Sequence, residues 1–233
     1  MLFPLWGKYK IKVILEREYN KKLSNSTVGR IISKLLKLGQ IKPVRFYCGL
    51  VKEKRKRVFN RHAKRWKYGM KARIPGELIQ IDHASIELSG KIIKHFQAIC
   101  PITKIVVEQA YQAADSKKAS DFFKHVRSNF PFKIKSVQVD GGTEFMKEFE
   151  ESCEKNSVDL FVLPPRSPKY NGHVERANGT AKYEFYWQYS GSEILEILNK
   201  NLKRFVEMYN TFRPHQGLHY KTPMEYYQQL VAS

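Results

Sequence analysis

An α/β fold with a mixed sheet and helices on both faces, preceded by a helical, helix-turn-helix-like segment, is the class this sequence predicts. Two observations carry it. From Glu77 onward the apolar spacing shifts from helical to short alternating or wholly apolar runs. These runs then interleave with amphipathic stretches in the order β-β-β-α-β-α-β-α, which implies a mixed sheet covered on both sides. A third observation bounds the size: 233 residues, 42% of them hydrophobic and 13% aromatic, suffice for one ordinary domain and a small one with a buried core.

The elements follow in chain order. "WGKYKIKVILEREY" places Ile11, Ile14, Leu15 and Glu18 at helical spacing, and "NKKLSNS" supplies a turn with capping residues. A second helix carries Val28, Ile31, Ile32, Leu35 and Leu38 on one face, with Thr27, Arg30, Ser33, Lys34 and Lys37 largely elsewhere, and Gly39 stops it. Residues 1–41 therefore read as a helix-turn-helix whose second helix, through Thr27, Arg30 and Lys34, reads DNA, or as an ordinary helical hairpin. Residues 42–76 read as a basic linker. Between Lys42 and Arg73 lie thirteen Lys or Arg and one acid, Glu53, with aromatic residues interleaved. A solvated charge run is the plain reading. The one-sided sign favours an arm that tracks phosphates, using Lys54, Arg55, Lys56, Arg57, Arg65 and Lys67.

The core, residues 77–190, opens with three strands, "ELIQIDHASIEL", "KIIKHFQAIC" and "KIVVEQAYQ", joined by tight turns at Ser89-Gly90 and Pro101. Asp115 or Ser116 then caps a helix that puts Ala119, Phe122, Phe123 and Val126 on one face. A strand "KSVQVD", a helix near "TEFMKEFEESCEKN", a strand "VDLFVLP", a loop "PRSPKYN" and a helix from about Gly172 to Gln188 complete it. Residues 191–233 read as a C-terminal helical extension in which Thr222, Pro223 and Glu225 form a helix start.

Charge narrows the partners. Lys plus Arg number 42 against 22 Asp plus Glu, a net +20 that points to a polyanion. No apolar run approaches the roughly 18 residues that span a bilayer, and "MLFPLWGKYK" lacks the form of a secretory leader, so no membrane partner is expected. Cys48, Cys100 and Cys153 are odd in number and widely spaced, with no C-x-x-C pair. They read as reduced thiols of a cytoplasmic protein, not as zinc ligands or a disulfide.

Three carboxylates stand out by position: Asp82 ends the run "LIQI", Asp140 ends "SVQV", and Glu175 lies in the first turn of the last core helix. Singly, each is a turn or helix-start acid; together on one sheet edge they would repel and need a cation. With no His or Cys cluster beside them, the donor set suits Mg²⁺ or Mn²⁺, and with the basic charge it suggests phosphodiester chemistry.

Fifty-seven residues separate Asp82 from Asp140 and thirty-four separate Asp140 from Glu175. With "VDGGTEF", "SPKYNGHVERANGT" and "YNTFRPHQGLHYKTPMEYY", this spacing resembles the DDE transposases of bacterial insertion sequences, whose retroviral-integrase-like core has a ribonuclease-H-like fold. The resemblance spans Glu77 to Tyr227. It departs at Gly141, where the family usually has Asn, and in a last interval one residue shorter than the commonest.

The resemblance implies that Asp82, Asp140 and Glu175 are catalytic and hold metal, two Mg²⁺ or Mn²⁺ ions per site. It implies DNA cleavage and strand transfer on terminal inverted repeats and target DNA, by a homo-oligomer in the bacterial cytoplasm, associated with the nucleoid. A truncated or domesticated remnant that binds DNA without cutting is the alternative. On the last helix, Lys182, Asn178 and Arg176 are expected to face DNA, Arg176 alternatively serving a surface ion pair. His83 reads as packing, Glu144 as a helix-start acid, and Arg213 and His215 as DNA contacts or fold-closing residues.

Overall fold

The computed structural model describes residues 6–42, 59, 62–65, 71–164 and 170–232. It divides into two units, Met1–Lys56 and Arg57–Ser233. The first holds α1 (Lys8–Tyr19) and α2 (Asn25–Lys37). The Ser24 hydroxyl caps α2 by accepting the Thr27 N–H at 3.1 Å. Of the apolar stripe expected on α2, Val28 is buried, whereas Ile31 and Leu38 stay 44% and 60% exposed.

The second unit is built on a six-stranded mixed sheet in the order β1-β6-β5-β2-β3-β4. Its strands are β1 (Lys64–Arg65), β2 (Ile79–Leu88), β3 (Lys91–Ile99), β4 (Val106–Tyr111), β5 (Ser136–Val139) and β6 (Asp159–Val162). β2, β3 and β4 form the expected antiparallel meander, turning at Ser89 and Gly90, both with positive φ. β5 and β6 run parallel to β2. The expected five strands are all present. The sixth, β1, pairs with β6 through two basic residues and carries no apolar alternation by which it could be read.

Strand alternation sorts two cores onto the two sheet faces. Odd positions of β2 and β5, namely Ile79, Ile81, Val137 and Val139, join Phe96 against α3 (Ser116–Asn129), α4 (Glu148–Lys155) and the 3-10 turn Thr143–Phe145 before it, where Phe122, Phe123, Phe149 and Phe145 are fully buried. On the other face Ile86, Leu88, Ile93, Val106 and Ala110 meet α5 (Gly172–Thr180) and α6 (Leu195–Thr211). α5 continues helically through a π turn, Ala181–Phe185, and a 3-10 turn, Tyr186–Gln188. Asp115 caps α3 by accepting the Lys118 N–H at 2.9 Å. Thr222 and Glu225 exchange hydrogen bonds of 2.8 and 3.2 Å at the start of α7 (Pro223–Ala232), the expected capping box.

α6 also closes the sheet edge. The Asn199 amide accepts from Ala110 N–H (2.8 Å) and donates to its carbonyl (3.0 Å). Asn210 does the same at Val106, at 2.9 Å for both bonds. About three helical turns separate the two asparagines, so one helix face satisfies outward backbone groups of the edge strand β4. Cys100 and Cys153 are buried and free; Cys48 lies outside the described residues.

Candidate active site

The same three-residue pattern occurs twice, as Gln80-Ile81-Asp82 in the first half of β2, which runs on to Leu88, and as Gln138-Val139-Asp140 where β5 ends. Alternation puts each glutamine on the same face as its aspartate, the face toward α5. In the parallel ladder Ile79 pairs with Val137 and Gln80 with Gln138, so the next two positions of that register set Asp82 beside Asp140. The glutamines are buried and fasten the loop that leads into α5. Gln80 Nε2 and Gln138 Nε2 both donate to the Tyr170 carbonyl, at 3.0 and 2.8 Å, and Gln80 Oε1 accepts the Val174 N–H at 3.2 Å. Glu175, one residue further in the first turn of α5, is thus held at a fixed place over the two aspartates, its N–H bonded to the Asn171 carbonyl at 3.1 Å.

The carboxylates act on one another. Asp82 is pushed up to about 6, first by burial and then by the charges of Asp140 and Glu175, against the His83 N–H bonded to its Oδ1 at 2.8 Å. Asp140 is raised by the protein mass behind it and by Glu144, and is held partly down by the Gly142 N–H donating to Oδ1 at 2.9 Å. Asn178 Nδ2 donates to Asp82 Oδ2 at 3.3 Å. The Asn178 position expected to meet DNA therefore also orients a carboxylate.

Behind Asp82, on the opposite face of β2, His83 stacks on Phe96 with centroids 5.3 Å apart, the packing role expected of it. It also does more. His83 Nδ1 lies 3.0 Å from Glu144 Oε1, and this contact raises the imidazole pKa. Burial pushes the Glu144 carboxyl up, but His83 holds it below its ordinary value. Glu144 does begin a helical turn, Thr143–Phe145, yet its carboxyl folds back over Gly142, where any Cβ would collide with it. Gly141, the departure from the family pattern, has open space around its Cα.

Three carboxylates that raise or face one another, without sulfur or imidazole in the set, fit a hard divalent cation. They border one edge without closing into a cage: among the described residues no three His, Cys, Asp or Glu stand together at metal-ligand spacing. Lys182, two turns along from Glu175 in the π turn, is exposed and lies 5.9 Å from the centroid of the Trp187 ring. Arg176 is exposed and faces away from Asp82 into a cleft, and Arg213 is fold-closing, its Nε and Nη2 gripping Glu184 at 2.7 and 2.6 Å.

In the N-terminal unit Arg30 and Lys34 are exposed and line a groove of about 770 Å³, whereas the Thr27 hydroxyl lies 2.9 Å from that of Ser24 in the helix cap. Arg65 is exposed on β1. Lys54, Arg55, Lys56, Arg57 and Lys67, with most of the loop 164–168, lie outside the described residues. Gln80, Gln138 and the His83–Glu144 pair are what the sequence reading missed. The signal available was the repeated Q-x-D, a glutamine between two apolar residues just before each aspartate.

Residues 156–223 match the family model described as "Integrase core domain". A putative integrase, ORF3, of Spiroplasma virus SpV1-C74 is 26% identical over 140 residues, covering 54% of this chain and 37% of that protein. Among solved structures, a chain of the simian T-cell lymphotropic virus intasome in complex with PP2A regulatory subunit B56 gamma aligns with TM-score 0.60 at 16% identity, over 77% of this chain and 62% of that one. The HTLV-2 integrase catalytic core domain in complex with magnesium, dimeric form, aligns with TM-score 0.54 at 18% identity, over 66% and 97%. The fold is thus that of a retroviral integrase catalytic core, ribonuclease-H-like. The chain spans little more than a third of the length of the curated relative.

Proposed function

We propose that this chain is a DDE-type DNA strand transferase of the insertion-sequence transposase kind, which cuts the ends of a DNA element and joins the freed 3′ ends to a target strand. The observation that carries the reading is the pair Asp82 and Asp140 at matched positions of adjacent parallel strands, beneath the helix that bears Glu175. The net charge of +20 and the likeness to integrase cores support it.

Asp82, Asp140 and Glu175 would hold Mg²⁺ or Mn²⁺, two ions expected; an integrase core of this fold was solved with magnesium. When bound, such ions supply charge neutralisation at the attacking and leaving oxygens of a phosphodiester and activate the nucleophile. The chain's own residues set the geometry. Asn178 and the His83 N–H each fix one oxygen of Asp82, and the Gly142 N–H fixes Asp140. Gln80 and Gln138 hold Glu175 in register with both. Lys182 neutralises a phosphate of the element end. The carboxylates are not nucleophiles, so no covalent enzyme intermediate forms.

A dimeric integrase core and an intasome chain share the fold, which supports a homo-oligomer on DNA that handles two terminal inverted repeats together. The setting that fits is the nucleoid of a bacterial cytoplasm. The test is incubation of the purified chain with DNA carrying the repeats that flank its gene, in Mg²⁺ or Mn²⁺. Cleaved and joined products are expected, with Asp140→Asn binding DNA but not cutting it. Cleavage that survives Asp140→Asn or a chelator would sink the reading. DNA binding without cleavage in either metal would favour the remnant that binds only.

A further inference from the structure

α5 has a second face. His173, Arg176 and Thr180 follow one another at helical spacing, turned away from Asp82, and line a cleft of about 420 Å³ closed on the far side by Arg213, His215 and the turn up to Tyr220. Lys104 enters it from the β3–β4 turn, where it holds a left-handed φ of 61° that is unfavourable for a side-chain-bearing residue. Its ammonium donates to the Pro101 carbonyl and meets His173 Nδ1 at 3.2 Å, so it leans on neutral lone pairs and not on a carboxylate. The acid nearby, Glu184, has both oxygens taken by Arg213. Arg176 has no carboxylate partner among the described residues. His215 Nε2 is shielded from solvent and, among the described residues, without a hydrogen-bond partner.

We propose that this cleft is a phosphate subsite for the DNA backbone, with Arg176 and Lys104 as donors, holding a phosphodiester a few nucleotides from the one at Glu175. The inference rests on the DNA-processing reading above and deepens it. Glu175 and Arg176 are consecutive, so the cleft and the carboxylates lie on adjoining faces of one helix. An α-helix with side chains is about 10–12 Å across, and a DNA strand places a phosphate roughly every 3.4 Å of axis. A strand cut beside Glu175 has a phosphate within reach of the cleft about three to four nucleotides along. The electrostatics agree in direction: burial and then the Arg213 charge depress His215, as expected where cations outnumber anions. A bound phosphate would relieve that excess.

The experiment is DNA binding by the full chain, followed by fluorescence anisotropy over a range of salt. Arg176→Gln combined with Lys104→Gln should weaken binding and lower the slope of log affinity against log salt by about one for each phosphate that is no longer neutralised. Arg176→Lys should recover most of it. Lys124→Gln combined with Lys155→Gln, an equal loss of charge on α3 and α4 beneath the opposite sheet face, should leave the slope unchanged; an equal drop there would overturn the subsite. Melting curves matching the wild type exclude misfolding. Inorganic phosphate provides the second arm: if it stabilises the wild type and not the cleft variants while the DNA slopes coincide, the occupant is a free phosphate and the DNA proposal is overturned. A wild type that cleaves DNA while the cleft variants bind with its slope removes the subsite and leaves catalysis standing. A wild type that binds through the cleft and never cuts does the reverse.

Discussion

Asp82 shows how much one side chain's surroundings decide. Its carboxyl is raised from 3.8 to about 6 by burial and by the charges of Asp140 and Glu175. Because the folded value lies above the unfolded one, the metal-free fold loses stability as pH rises from about 4 through 6, and added cation should restore it. Below about pH 6 metal uptake must expel the Asp82 proton. Metal affinity measured by calorimetry should therefore fall by about tenfold per pH unit below 6 and level off above it; a flat profile from pH 5 to 7 would refute the role given to Asp82. Asn178 holds one oxygen of this carboxylate, so Asn178→Ala should lower cleavage or metal affinity by about 10–100-fold with little change in melting temperature. Gly141 has room for a side chain, and Gly141→Asn should shift stability by no more than about 0.5 kcal/mol in urea titration.

At the scale of elements, polar side chains do the fastening. Gln80 and Gln138 tie α5 to β2 and β5: Gln80→Leu would orphan the Val174 N–H, and either change to Leu would take one of the two donors from the Tyr170 carbonyl. Each change should cost about 1–3 kcal/mol and, by loosening Glu175, lower cleavage more than DNA binding. Asn199 and Asn210 satisfy the edge of β4, and the same cost is expected for their Ala variants, without any specific effect on the chemistry.

Between the sheet and α6 lies a buried polar group in which Gln97 donates to Glu108 at 2.6 Å and His95 Nδ1 contacts the Tyr186 hydroxyl at 3.0 Å. Burial pushes Glu108 up to about 8 and His95 down to about 4. The raised acid makes stability fall with rising pH between 4.5 and 8, and the depressed histidine makes it rise between 4 and 6.5. The two oppose each other below 6.5, and above it Glu108 acts alone. Urea midpoints should therefore drop between pH 6.5 and 8, and Glu108→Gln should flatten that drop.

For the whole molecule the governing quantity is the net +20. If about four or more phosphates are neutralised, each doubling of salt should weaken DNA binding by about tenfold. An affinity indifferent to salt would contradict a polyanion as partner. Much of this was legible in the chain. The five principal strands and α3, α4, α5 and α7 fall where apolar spacing and capping residues put them, because both are local properties, and α6 lies within the stretch read only as a helical extension. Less was legible where the determinant was not local: β1 is two basic residues, held to β6 by its ladder and by a Lys64–Asp159 ion pair 95 residues apart in the chain, and the apolar stripe of α2 is only partly covered.

By itself the sequence determined which residues could be chemical, since Asp82 and Asp140 end apolar runs and Glu175 opens a helix, and these are facts of order and spacing. It also determined, through composition, the net charge of +20 on which the proposal of a polyanionic partner rests. Only the tertiary structure decided what each acid meets: that Asp82 and Asp140 fall in one register, that Glu144 turns back to His83, that Arg213 is spent on Glu184, and that Arg176 looks into a cleft shared with Lys104. Those partners lie tens of residues away in the chain. Contacts across such separations are set by which faces pack, and no local pattern encodes them.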